Sequence, residues 1–302
     1  HAPPRPQPLA GPSPPHSRPH GRPGSGPPTE PAAIDTDPTR NRVEGEAASV
    51  RHVAPDEAMA ICPAIYEQER LRRPGMLTRT SDWWKHLFVD PTGRRRGFSS
   101  LRLLLHETDG RPDGYAFYRQ KPDWSSGFPE GKLSIREIIA ASPTAHTGLW
   151  RFLTSVDLFV HINHWNLPVD DPLAWKVPDH RRIKRKRWDA LYLRILDVAQ
   201  ALEARTYGAD GSVSFSVDDP SLPDVGGSFE LTVIDGVGTC RRADPAPTKL
   251  RLGTTDLASL YLGGHSAIAM ERAGRIEGAA DDVELFGRMF RGDMAPWCEE
   301  VF

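Results

Sequence analysis

From Ser49 onward, apolar and polar positions alternate in blocks that mark out one element after another. The stretch SSLRLLLHETDGRPDGYAFYRQ, 99 to 120, reads as two strands joined by a turn-rich link. Successive strand side chains point to opposite faces, which puts Tyr115 and Phe117 on one face and Ala116 and Tyr118 on the other. KLSIREIIA, 132 to 140, predicts a third strand. In SPTAHTGLWRFLTSVD, 142 to 157, the period changes: Ser142 is placed to cap a helix, Pro143 suits its first position, and Leu149, Phe152, Leu153 and Val156 recur at helical spacing. LFVHIN, 158 to 163, and DALYLRIL, 189 to 196, return to strand. These signals predict a β-rich unit over 49–196 with one central helix against its sheet. From Asp197 the helix DVAQALEAR leads into strands at SVSFSV, SFELTVIDG and TCRRA, and then into helices at TDLASLYLGG, HSAIAMERAG and DDVELFGRMF. Strands first and helices afterwards predict an α+β domain with a helical layer over 197–302.

At 302 residues the chain has room for two domains that each bury a core. Residues 1–48 stand apart: they are crowded with proline, hold almost nothing apolar, and are expected to form a disordered arm because nothing there offsets the entropy of ordering. A formal net charge of −2 gives no global basic field, which argues against nucleic acid or an anionic membrane as partner. No long apolar run or signal-peptide pattern is present, and a cytoplasmic location is expected. Cys62, Cys240 and Cys298 have no spacing that suggests a disulfide framework or a zinc clip.

Several signatures of chemistry nearly match and fail. GVGTCR, 236 to 241, lacks the third glycine of a dinucleotide fingerprint, and the Asp-Gly before it reads as a hairpin turn. GHSAI, 264 to 268, has isoleucine where a nucleophile elbow needs glycine. His161 and His164 lie three apart in a predicted strand and project to opposite faces, so no shared metal is expected. The basic run HRRIKRKR, 180 to 187, reads as a solvated loop before a strand, with an anion or nucleic-acid patch, such as one for the phosphates of a cofactor, as the alternative. Two stretches approach the pyrophosphate loop of acetyl-CoA enzymes, in which amides at a helix start face the anion. RVEGEA, 42 to 47, carries two repelling glutamates, and RRRGFS, 94 to 99, ends in serine and runs into a strand rather than a helix. Neither makes a convincing acetyl-CoA site. Finally, GDMAPWCEEVF, 292 to 302, closes on side chains that are normally buried.

PDGYAFYR, GLWRFL with a following aspartate, DPL, DALYLRILDVAQALEARTY, LASLYLGGHSA and a final phenylalanine together resemble the Eis (enhanced intracellular survival) family of GNAT N-acetyltransferases, collinearly from about Ser49 to Phe302. The resemblance implies a degenerate second GNAT-like domain over 49–196 and a sterol-carrier-protein-like domain over 197–302. The first GNAT domain, which in the family holds acetyl-CoA and the catalytic tyrosine, has no counterpart in this reading. It further implies acetyl transfer from acetyl-CoA to amines such as those of aminoglycosides or peptide lysines, no metal, and assembly as a homo-oligomer. Phe302 takes the position of the terminal residue whose carboxylate acts as base, and Glu299 and Glu300 are the matching substrate-binding acids, set back by Val301. The alternative function is a non-catalytic binding or assembly module.

Overall fold

The computed structural model describes residues 28–29, 32–33, 42–44, 49–189, 191–243 and 247–300. Most of the proline-rich stretch and both Val301 and Phe302 lie outside them. Within it, Pro28–Thr29 and Ala32–Ala33 pair with Trp188–Asp189 and Lys184–Arg185. Val43 is buried and donates its N–H to Thr154 Oγ1 at 3.2 Å.

The first domain is built on a five-stranded sheet, β1 (Ser49–His52), β2 (Arg102–Thr108), β3 (Arg111–Lys121), β4 (Gly131–Ala140) and β5 (Phe159–His164), in that spatial order. All neighbours are antiparallel except β4 and β5, which run parallel and are joined by a helical crossover. That crossover is α3 (Pro143–Thr154), whose start is the one expected: Ser142 Oγ accepts from Ala145 N at 3.0 Å, and Pro143 begins the helix. Leu149 and Leu153 pack on the Ala116 and Tyr118 face of β3, while Tyr115 and Phe117 face the other way, as the strand period requires.

That opposite face is covered by α1 (Pro55–Arg70) and α2 (Ser81–Phe88), so the sheet carries helices on both sides rather than one central helix. The buried stripe of α1 is Ala58, Cys62, Ile65, Tyr66 and Glu69, a helical period hidden in sequence by small and polar members and by Pro63 within the helix. The stretch predicted as a strand at 189–196 is another correction. Residues 191–195 form a link without ladder pairing, held by Ile195 in the second core and by Arg194, which donates to both oxygens of Asp219 at 2.9 and 2.7 Å.

The second domain opens with α4 (Val198–Glu203) and a sheet of β6 (Gly211–Asp218), β7 (Gly227–Ile234), β8 (Val237–Ala243), β9 (Leu250–Gly253) and β10 (Ile276–Gly278), ordered β8-β7-β6-β9-β10. The β7–β8 hairpin turns on Asp235 and Gly236, both at positive φ (51° and 74°), the conformation that Asp-Gly favours. Helices α5 (Thr254–Tyr261), α6 (Ala267–Arg272) and α7 (Ala280–Phe290) cover the sheet, with Phe286 and Phe290 against Phe215 and Tyr207. The last turn of α7 is closed from outside: Arg205 Nη2 donates to Phe290 O at 2.9 Å and Gly208 N to Met289 O at 2.9 Å. With those carbonyls satisfied the chain leaves the helix at Arg291 and crosses back to the first domain. Among the described residues no helix is long and apolar enough to cross a membrane.

Candidate functional site

Residues 293–300 have no regular secondary structure, so their backbone polar groups need partners elsewhere. The first domain supplies them. Asp170 Oδ2 accepts from Ala295 N at 2.8 Å, and Arg73, buried and paired with Glu69, donates to Ala295 O at 2.8 Å. Pro74 O accepts from Trp297 N at 2.9 Å. Gly75 follows at φ +93°, where a Cβ would stand 2.9 Å from Trp297 O, so glycine is required both for the turn and for the close approach. The Trp297 ring then enters the core between α1 and the sheet, its indole N–H donating to Asn166 Oδ1 at 3.0 Å, while Asn166 Nδ2 donates to Cys298 O at 2.8 Å.

Beyond Trp297 lies a buried cluster of acids around one guanidinium. Arg79 donates through Nη1 and Nη2 to Glu137 at 2.9 and 2.7 Å and through Nε to Glu300 Oε1 at 2.5 Å. Its Cζ lies 4.0 Å from the Tyr66 ring centroid and 4.8 Å from that of Trp84, which fixes the guanidinium plane. Tyr115 donates its hydroxyl to Glu137 Oε1 at 2.5 Å. Glu137 is aimed here by a β-bulge in β4: Phe117 opposes Glu137 and Tyr118 opposes Ile135, leaving Arg136 as the extra residue. Glu299 is buried as well, and its Oε2 has no hydrogen-bond partner among the described residues.

Three carboxylates face Arg79, with Arg136 a weaker second cation, and this sets the electrostatics. Burial first, then Glu137, pushes the Glu299 carboxyl well above its usual value, and burial raises Glu300 against the pull of Arg79. Burial opposes charge on Arg79, but Glu137 outweighs it and the guanidinium stays charged. The sign for stability follows. A carboxyl raised in the folded state contributes fully below its unfolded value of 4.5, and that contribution is lost as pH rises toward the folded value. Asp113, Asp171 and Asp219 are shifted the other way, below 3.8, so their losses fall in a separate, more acidic window. His164, which burial holds neutral with its pKa lowered to about 3, adds stability until pH reaches its ordinary 6.5, so we expect the melting temperature to decline as pH is raised above 6.5. Glu299→Gln should flatten that decline and stabilise the protein by on the order of 1–3 kcal/mol at pH 8, because it removes a buried carboxyl that resists ionisation in the folded state. Scanning calorimetry of both proteins from pH 5 to pH 9 checks this, and parallel profiles would contradict it.

Of the residues singled out in the sequence, Glu299 and Glu300 are thus brought together on the first domain, with Glu300 turned inward onto Arg79. Phe302 lies outside the described residues. Arg79, Glu137, Tyr115 and Asn166 are members that carried no local signal, since their contacts join residues 22 to 221 positions apart.

Between the two parallel strands the strand–loop–helix step is β4–Ala141–Ser142–α3, and its residues do not fit an acetyl-CoA pyrophosphate. The loop has no glycine, Pro143 has no N–H, and Ser142 Oγ already takes the Ala145 amide. The cavity beside it, of about 320 Å³, is lined by the carboxylates of Glu69 and Asp171 and by Trp297 and Met294 from the terminal segment. His146, which also lines it, is held between Asp171 at 3.2 Å and Lys176 at 3.1 Å.

Comparison with known proteins gives this architecture its class. Residues 75–195 match an acetyltransferase (GNAT) domain and residues 198–299 a sterol carrier protein domain. An uncharacterised N-acetyltransferase of Streptomyces avermitilis is 36% identical over 283 residues, covering 91% of this chain and 68% of the relative. The N-acetyltransferase Eis of Mycobacterium tuberculosis is 35% identical over 253 residues, covering 80% of this chain and 56% of that protein. The crystal structure of Eis1 from Mycobacterium abscessus superposes with a TM-score of 0.76 at 26% identity, over 92% of this chain and 69% of that one. The chain belongs to the Eis family of GNAT N-acetyltransferases. It spans about two thirds of the length of the first curated relatives it matches, 65–68%.

Proposed function

We propose that these two domains are the acceptor-side part of an Eis-type N-acetyltransferase, which moves acetyl from acetyl-CoA to amines such as those of aminoglycosides or peptide lysines. One observation carries the reading: residues 293–300 leave the sterol-carrier domain and are clamped on the GNAT-like domain by Asp170, Pro74, Asn166 and Arg79. Such a clamp gives the chain end a fixed point of departure, which a terminal group needs if it is to meet a substrate. In this reading the Phe302 carboxylate takes the proton from a substrate ammonium. An α-carboxylate near its ordinary value of about 3.5 is a poor base, and proximity to Glu299 and Glu300 would raise it. Glu299 and Glu300 are the substrate-binding acids of this reading: Glu300 is paired with Arg79, and Glu299, whose Oε2 has no hydrogen bond among the described residues, would ionise against a cationic amine. Acetyl-CoA is held on a first GNAT domain, and the assembled enzyme is a homo-oligomer.

The misfit at the β4–α3 step favours a second reading, a binding or assembly module without catalysis. Titration calorimetry of acetyl-CoA into this chain, and into a full-length relative carrying the first domain, bears on both. The proposal expects micromolar binding by the relative and none by this chain. Micromolar binding by this chain would remove the module reading and place the donor site within the two domains.

A further inference from the structure

The bulge that turns Glu137 onto Arg79 leaves Arg136 as the extra residue of β4, and the two side chains meet different surroundings. Arg136 lines a cavity of about 710 Å³ together with Arg94, Arg95, Arg96, Arg119 and Trp165. Asp90 is the carboxylate that pairs with this group, at 2.6 Å from Arg119 and 3.2 Å from Arg95. Glu137, next along the strand, spends both oxygens on Arg79. Arg94 and Arg96 are exposed and have no carboxylate partner among the described residues. Five guanidinium groups thus converge on one hollow in a chain of net charge −2, a repulsive arrangement that an anion would relieve.

The hollow is also rigid. Arg96 and Gly97 take left-handed conformations (φ 50° and 83°) that close a tight turn, with Phe98 N donating to Arg95 O at 2.9 Å and Ser99 N to Gln120 O at 2.7 Å. Trp165 is half-buried, and its indole N–H donates to Arg136 O at 3.2 Å, which sets the plane of the ring. Phe98 adds a second aromatic wall, under Lys121 Nζ at 5.9 Å from its centroid. The basic run at 180–187 has no such character, because Arg185 is spent on the carbonyls of Val169 and Asp171.

We propose that this arginine-lined cavity binds an organic diphosphate, with two phosphates on the guanidinium groups and a flat ring against Trp165, the chemistry of a nucleoside diphosphate. Guanidinium forks match phosphate oxygens in pairs, an aromatic face accepts a planar base, and the volume is that of a small-molecule site. The 94–99 stretch fails as a pyrophosphate loop because no helix follows it, and here side chains rather than helix amides meet the anion. The site is independent of the acetyl-transfer reading.

Titration calorimetry on the full chain at low salt, with ADP, inorganic pyrophosphate and adenosine as probes, tests this. ADP is expected to bind saturably at one site, pyrophosphate several-fold more weakly, and adenosine not at all. Arg94→Gln with Arg96→Asn, both exposed and suited to the turn, should weaken ADP by about ten-fold or more. Trp165→Leu should bring ADP down to the affinity of pyrophosphate. Arg181→Gln with Lys186→Gln should leave binding unchanged. Absence of saturable ADP binding would overturn the proposal. So would an equal loss in the two basic-residue doubles, which would mark the attraction as general to polyanions.

Discussion

Arg79→Met is expected to destabilise the protein by about 3–5 kcal/mol, the cost of leaving a buried ion pair without its cation. The substitution keeps much of the side-chain volume but removes the cation from Glu137 and Glu300, both buried, beside Glu299, whose Oε2 already has no hydrogen-bond partner among the described residues. It also removes the contacts of the guanidinium with the Tyr66 and Trp84 rings. For domains of this size that loss corresponds to a fall in melting temperature on the order of 10 °C. The effect should be greatest at neutral pH, where the stranded carboxyls are driven to ionise, and should shrink as the pH is lowered toward 4.5. A triple variant, Arg79→Met with Glu137→Gln and Glu300→Gln, should recover most of the loss, since removing the charges together avoids the unpaired state. Melting curves of the two variants at pH 5 and pH 8 provide the check. If Arg79→Met melts with the parent at pH 8, the clamp on the terminal segment does not depend on this pair.

Parts of the architecture that rest on local rules were legible in the sequence. Tyr115 and Phe117 against Ala116 and Tyr118, the Ser142–Pro143 helix start and the Asp235–Gly236 hairpin each depend on neighbours a few residues apart, and the structure has them as read. Helix α1 was not legible because its buried stripe includes a glutamate, a cysteine and an alanine and its middle holds Pro63. Trp297 marked the terminal segment as something to be buried, but not where. Its place is the core of the other domain, more than 130 residues away from Asn166. Glu299 and Glu300 were visible as acids near a chain end, whereas the arginine that orders one of them, 221 residues earlier, offered no pattern at all.

The second large effect concerns the chain end itself. If the clamped segment presents the Phe302 carboxylate as a base, then charge at the terminus, and not the bulk of Val301 and Phe302, is the functional element. Amidation removes that charge while leaving both side chains. Trp297, Asn166 and Arg79 hold the segment upstream of the modified group, so its seating should be unaffected. The measurement is steady-state acetyl transfer to an aminoglycoside or a lysine peptide by a full-length Eis-family relative ending in phenylalanine, prepared with a free or an amidated terminus. Turnover is predicted to fall by roughly 10²-fold or more on amidation, the usual contribution of a positioned base, with the melting temperature unchanged. Equal turnover by the two forms would contradict the account and leave the terminal segment a structural tie between the two domains.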